Sequence, residues 1–325
     1  MRARSWRWTD TALTLALVAA LGVTSGCAGA AGSGSSGGGS GGEQPLRVGY
    51  QRYGSESLVK AREAGGDLAW SLFESGPALT EALRAGSIDI GETGEAPPVF
   101  AAAARTDFRI VATSAEVPEG EAVLVHSDSG FSSFADLKGR TIALNKGSNV
   151  NWLLLRLLAA NGMTLDDVTV RYLKPAEARP AFDSRQVDAW IVWDPYFALA
   201  EGPGVKVLVD ATGLAGNREY ILVSTKALDT KSEQIKRFLT TLRETTDWGI
   251  AHPDERAGVL APELRIPLDV TKRSLERSAK PLAPVTPAIG EELQRIADGF
   301  ADLKLIPGPV DMRSLIDDRY TEVLR

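Results

Sequence analysis

Residues 77–104 read PALTEALRAGSIDIGETGEAPPVFAAAA. Pro77 at a first helical position and Gly86 just past the end frame a helix over 77–85. Ser87-Ile88-Asp89-Ile90-Gly91 follows as a short strand, and a second helix is expected over 97–104. Outward from this unit the same alternation continues. Strands are expected at 46–50, 68–73 and 108–113, with a short helix at 57–64. A second series begins near Ala122, with strands at 123–125, 141–144, 168–172 and 189–192 and helices at 149–160 and 177–183. After Asp229 the pattern turns mostly helical, its longest candidate covering 232–250. Strands alternating with helices predict α/β sheets, and two such series with a helical tail predict two lobes. Lobe 1 is expected over 45–122 plus 223–325 and lobe 2 over 123–222, each a mostly parallel sheet flanked by helices. The chain must then cross between lobes twice, at 115–125 and 220–224, and these crossings are the expected hinge around a cleft.

The N-terminal region reads differently. Arg2, Arg4 and Arg7 precede an uncharged apolar run over 11–26, and Val23-Thr24-Ser25-Gly26 places small residues before Cys27, the only cysteine. That layout predicts a signal peptide over 1–26 and lipidation of the Cys27 thiol. A membrane-spanning anchor is the competing reading, but the run is shorter than the ~20 residues a span needs, and Thr24 departs from the commoner Leu. Residues 27–44 are almost all Gly, Ser and Ala, a flexible tether with an r.m.s. reach of roughly 20 Å. The expected location is therefore extracytoplasmic, anchored to the membrane by lipid. Without residues 1–26, 33 basic residues face 41 acidic ones, a net charge of −8 against −6 for the whole chain. Such a balance disfavours nucleic acid and anionic lipid as partners. With the single thiol assigned to lipid, no disulfide is available and a large core must hold the fold.

Two loops stand where open α/β sheets place their ligands, beyond the carboxyl ends of strands. They are Gly91-Glu92-Thr93-Gly94-Glu95 and Asn145-Lys146-Gly147-Ser148-Asn149. Each offers backbone N–H groups, a hydroxyl and a helix N-terminus, which suits an anion. Each is equally compatible with ordinary helix capping and tight turns. Their occurrence in both series favours a shared cleft.

An ordered set of short motifs points to one family. Gly49-Tyr50-Gln51, Ser75-Gly76-Pro77 with Glu81-Ala82-Leu83, and Gly86-Ser87-Ile88-Asp89 come first. Gly94-Glu95-Ala96-Pro97-Pro98-Val99-Phe100, Asp136-Leu137-Lys138-Gly139 and Asn145-Lys146-Gly147-Ser148-Asn149 follow, and Val187-Asp188-Ala189-Trp190 with Trp193-Asp194-Pro195-Tyr196 closes the set. Over most of residues 46–310 the chain resembles the substrate-binding proteins of aliphatic sulfonate importers. The resemblance implies a two-lobed, type II periplasmic-binding-protein fold that closes over a small organic sulfonate. It also implies delivery to an ABC permease and its ATPase for sulfur acquisition, by a monomer without a cofactor or metal.

A sulfonate is permanently charged, so its receptor needs neither a proton donor nor a metal. Thr93, Gly94, Ser148 and Asn149, with Gln51 as an amide donor, stand at the matching motif positions. Trp193 would wall the organic part of the ligand, although one of Trp190 and Trp193 is expected in the core. Asp194 is open to three roles: capping a helix, accepting from a ligand hydroxyl or amine, or accepting from the facing lobe. The Trp-Asp-Pro form leans towards general alkanesulfonates rather than taurine. Glu95 suits a helix start first, and a ligand contact second. Two features depart from the resemblance. Asn151-Trp152 replaces a His followed by Tyr or Asn, so Asn151 is expected to approach the ligand or face solvent and Trp152 to narrow the cleft. The stretch 60–70 is several residues shorter than usual.

Other classes find little support. His126 and His252 lack a triad setting, no Gly-x-Ser-x-Gly elbow occurs, and no cluster has metal spacing, which argues against an envelope hydrolase. A binding module coupled to a membrane sensor stays open, as do taurine, nitrate, bicarbonate or a pyrimidine as ligands. With no histidine in the motifs, binding is expected to be flat from pH 6 to 8.

Overall fold

The computed structural model describes residues 44–325 except Tyr53 and Ala279. The expectations for the signal peptide, Cys27 and most of the tether lie outside the described residues. Among the described residues, no helix is long and apolar enough to cross a membrane.

Lobe 1 begins with β1 (Leu46–Gln51), α1 (Ser55–Ala61), β2 (Leu68–Phe73), α2 (Gly76–Arg84), β3 (Ile90–Gly94), α3 (Pro97–Ala103) and β4 (Phe108–Ser114). Lobe 2 follows as β5 (Glu121–His126), β6 (Thr141–Leu144), α4 (Asn149–Ala160), β7 (Thr169–Tyr172), α5 (Pro175–Asp183), β8 (Ala189–Trp193), α6 (Tyr196–Ala200) and β9 (Val205–Asp210). The chain returns to lobe 1 as β10 (Glu219–Ser224), α7 (Thr225–Thr230), α8 (Ser232–Ala251), α9 (Pro253–Leu264), α10 (Leu268–Glu276), β11 (Leu282–Pro284) and α11 (Pro287–Asp302).

The first sheet has the order β11-β4-β10-β3-β1-β2 and the second β7-β6-β8-β5-β9. Both are mixed rather than mostly parallel, for a geometric reason. β10 enters lobe 1 at the end where β3 and β4 finish, so it must run back between them, pairing Glu219 with Gly94 and Tyr220 with Thr113. β5 likewise enters lobe 2 beside the end of β8, pairing Glu121 with Trp193. Residues 220–224, expected as a crossing, are therefore inside a central strand, and the second crossing is 211–218. The two crossings touch, Val117 N donating to Gly216 O at 3.0 Å. β3 is also displaced from the expected 87–91. Its pairing with β10 extends it through Glu92, Thr93 and Gly94, and all five of its residues are buried.

Each sheet carries apolar cores on both faces. In lobe 1, Leu79, Val99, Ile110, Leu293 and Phe300 fill one side and Val48, Ile90, Ile221, Phe238 and Leu242 the other. In lobe 2, α4 contributes Leu153, Leu154 and Leu157 to one core, while Phe182, Trp190 and Phe197 form the opposite one. A satellite cluster of Leu58, Leu260, Leu264 and Leu275 docks α9 and α10 onto α1.

That docking carries Arg277 across to lobe 2. Its guanidinium donates to Asp194 (2.7 and 3.2 Å) and to Glu201 (2.9 and 3.0 Å), and stacks 3.9 Å from the Phe197 ring centroid. Asp194 is nearly fully buried, so losing its partner strands a charge. Arg277→Met should cost about 3 kcal/mol in urea unfolding. Adding Asp194→Asn should recover part of that loss; strictly additive losses would show that the pair is not coupled.

Candidate functional site: a chamber between two open helix ends

The N-termini of α2 and α4, one from each lobe, meet at a small chamber of ≈ 40 Å³. It is lined by Gln51, Gly76, Gly94, Pro97, Ser148, Asn149, Trp193, Asn217 and Glu219. The first N–H groups of any α-helix have no partner within it and usually take one from the N-cap side chain. Here the N-caps are Ser75 and Ser148, both buried, and neither makes that bond. Ser148 Oγ instead donates to Asn145 O at 2.7 Å. Two helix ends with free donors and positive dipole ends thus face one cavity, the arrangement that binds anions.

Close packing brings the lobes this near. A methyl at Gly94 would overlap the Asn149 amide of the facing lobe, and one at Gly76 would overlap Thr93 Oγ1. The Asn149 amide donates to Asn217 Oδ1 (3.2 Å), and Asn217 donates on to Val117 O (2.8 Å), tying α4 to both crossings. Lys280 anchors the same corner to lobe 1 through Asn217 O (2.8 Å) and Glu219 (3.1 Å).

The chamber adjoins a vestibule of ≈ 500 Å³, with Gln51, Trp193 and Glu219 common to both linings. Leu72, Phe73, Tyr196, Arg52 and Glu74 line the outer part. Trp193 is half-buried and packs edge-on against Tyr196, centroids 5.8 Å apart.

The expected site residues divide. Gln51, Gly94, Ser148, Asn149 and Trp193 line the chamber, with the Gln51 amide donating to Glu92 O at 3.2 Å. Thr93 lies just behind Gly76, its hydroxyl buried without a partner. Asp194 borders the vestibule, and its carboxylate accepts from Ala198 N at the start of α6 and from Arg277 of the facing lobe, two of the three roles open to it. Burial raises it to about 6, opposed by Arg277. Glu95 faces away, into a groove of ≈ 620 Å³ shared with Glu116, Trp152 and Glu292. Asn151 is buried from solvent and accepts from Gly147 N at 3.1 Å, holding the 145–148 turn, and it is not part of the chamber lining. Trp152 packs against α11 and does not narrow the chamber.

Glu219, Glu121 and Lys280 have no counterpart among the expected residues; they converge from separate strands and a loop, and no local motif marks them. Burial pushes Glu219 up to about 7, with Lys280 opposing and Glu92 adding to the rise. Burial pushes Glu121 up to about 8, with Lys280 and the Asn149 amide opposing. Beneath them Glu56, buried beside Glu92, is raised well above the usual carboxylate range by burial and by that neighbour. Among the described residues no group of three His, Cys, Asp or Glu is placed to hold a metal ion.

Two lobes joined by paired crossings, with converging helix ends between them, have the architecture of the type II periplasmic-binding-protein fold. Residues 63–256 match the NMT1/THI5 like family. An Escherichia coli (strain K12) relative named for aliphatic sulfonates binding is 35% identical over 283 residues, covering 84% of this chain and 88% of its own. The alkanesulfonate-binding protein from Xanthomonas axonopodis pv. citri, bound to MOPS, superposes with a TM-score of 0.79 at 33% identity, over 84% of this chain and 98% of that one. The periplasmic aliphatic sulphonate binding protein from Escherichia coli gives a TM-score of 0.77 at 34% identity, over 84% and 92%. The chain belongs to the aliphatic-sulfonate/taurine-type substrate-binding proteins of ABC importers, within the NMT1/THI5 like family. A desulfurization enzyme shares the fold at 15% identity and a TM-score of 0.62, so architecture alone does not confer a binding role.

Two raised carboxyls beside the chamber predict a sloping pH profile in place of the expected flat one. An anion placed beside Glu219 and Glu121 favours their protonated forms, so binding takes up protons and weakens as pH rises through about 7 to 8. Affinity for a simple alkanesulfonate should fall about ten-fold or more from pH 6 to 9, corresponding to ~1.4 kcal/mol of repulsion. Glu219→Gln should flatten the profile. Calorimetry giving the same slope in both proteins would place the anion elsewhere.

Proposed function

We propose that this protein captures an organic sulfonate between its lobes and passes it to an ABC permease powered by its ATPase, supplying sulfur to the cell. The observation that supports this most is the convergence of two uncapped helix N-termini, one per lobe, on a chamber that continues past Trp193 into a vestibule. The sulfonate oxygens would take the free N–H groups of α2 and α4, with the unpartnered Thr93 hydroxyl as a further donor. The organic part would lie along Trp193 towards Tyr196 and Leu72. Lobe closure about residues 115–120 and 211–218 would exclude water. Nitrate and bicarbonate would leave the ≈ 500 Å³ vestibule unused. In this reading residues 1–26 are a signal peptide, Cys27 bears the lipid and 27–44 is the tether that holds the body near the membrane.

One observation favours a narrower ligand class. Glu219 Oε1 pairs with Lys280, while the side chain stays 22% exposed where chamber and vestibule meet. A ligand ammonium would suit that place, so taurine or another aminosulfonate is the second reading. The pH slope separates the two: a cation on Glu219 releases protons, and affinity then rises with pH.

A thermal-shift and calorimetric series tests the proposal, using ethanesulfonate, butanesulfonate, taurine, MOPS, nitrate and sulfate. Sulfonates should bind, with a ligand at ~100 times its Kd adding about 2.7 kcal/mol of stability. Thr93→Val should weaken sulfonate binding by ~1.5–3 kcal/mol, the range for a hydrogen bond to a charged group. Nitrate binding more tightly than every sulfonate would overturn the assignment.

A further inference from the structure

Trp152 stands where the sequence departs from the proteins it resembles, and it lies outside the ligand chamber. We infer that Trp152 is the positioning residue that sets the balance between closed and open lobes, because its ring leaves α4 of lobe 2 to occupy a seat on α11 of lobe 1.

The seat exists because residue 299 is glycine. A Cβ there would come within 2.7 Å of Trp152 Cζ3 and 3.1 Å of Cη2. Phe300 closes one side, its ring centroid 5.9 Å from that of Trp152. Phe300 also packs at 4.9 Å against Phe100 of α3, which in turn borders Gly147 at the foot of α4. Trp152 thus joins the apolar cores of both lobes. Arg156, one turn on, lies 5.7 Å over the Trp152 ring and donates to Leu214 O at 3.0 Å, linking the ring to the second crossing. The ≈ 620 Å³ groove borders this contact and shares no lining residue with the vestibule.

The coupling to ligand follows from helix rigidity. Trp152 is four residues after Ser148, about 6 Å along the same helix. A head group larger than the ≈ 40 Å³ chamber needs Ser148 and Asn149 to move off lobe 1 to be admitted between the helix ends. The ring must then leave its seat, exposing its own apolar surface and that of Phe300. The contact therefore favours the closed form, and the closed fraction multiplies the affinity for every ligand alike. Trp152 lines neither chamber nor vestibule, so it has no means of ranking one ligand above another.

Two arms test this on the full chain. Without ligand, small-angle scattering should show a larger radius of gyration for Trp152→Ala and for Gly299→Val, which fills the seat, while Trp152→Phe should stay near the parent. This arm is independent of the sulfonate assignment. With ethanesulfonate, butanesulfonate and MOPS as probes, Trp152→Ala should weaken all by one common factor of about ten, mainly through faster dissociation. The rank order should be unchanged, and Gly299→Val should add little to Trp152→Ala. Trp152→Phe and Gly299→Ala give the same comparison if the larger changes impair folding. A changed rank order, or unaltered scattering in both Trp152→Ala and Gly299→Val, would overturn the inference.

Discussion

Two positive helix ends face each other across a gap barely large enough for a few waters, and neither is closed by its own N-cap serine. Such ends repel, and their N–H groups lose water when the lobes meet. Something negative must stand between or beside them. Among the described residues Glu219 and Glu121 are near at hand, held at the crossings and restrained by Lys280. On the proposed function an arriving anion would take over that compensation, and the carboxyls, already raised towards neutrality by burial, would give up their charge by binding protons.

The remaining architecture holds these ends in register. The forward strands of both sheets finish at the cleft, and the returning strands β5 and β10 start there, which makes the sheets mixed. Gly94 carries no side chain, so Asn149 can come against β3. Arg277 ties α10 to Asp194 and Glu201, while Trp152 joins α4 to α11. Polar and apolar interlobe contacts therefore flank the chamber.

Much of this frame was legible from residues alone. Pro77 and Gly86 bound a real helix, observed as Gly76–Arg84, and the expected helix at 149–160 matches α4. Proline at a helix start and glycine after its end act locally, so a local pattern reveals them. The misplacements have non-local causes. β3 reaches Gly94, and 220–224 is a strand, because a segment more than a hundred residues away pairs with β3. Chamber residues within motifs, such as Gly94, Ser148 and Trp193, could be named in advance. Glu219 and Lys280 could not, since only the return of the chain brings them together. Asn151 shares a helix face with Ser148 by spacing, while its amide oxygen accepts from Gly147 N, a bond that no sequence pattern announces. Glu95 follows Gly94 directly, but it stands past the end of β3 and lines the groove with Glu116 and Glu292 rather than the chamber.

The most direct measurement is a crystal structure with bound butanesulfonate, using the anomalous signal of its sulfur to locate the head group. If the two helix ends form the site, the sulfur peak should lie between Gly76 and Asn149, with oxygens in hydrogen-bonding range of backbone N–H groups from both α2 and α4. A peak on one lobe alone, or in the groove beside Trp152 and Glu292, would contradict an anion site assembled by lobe closure.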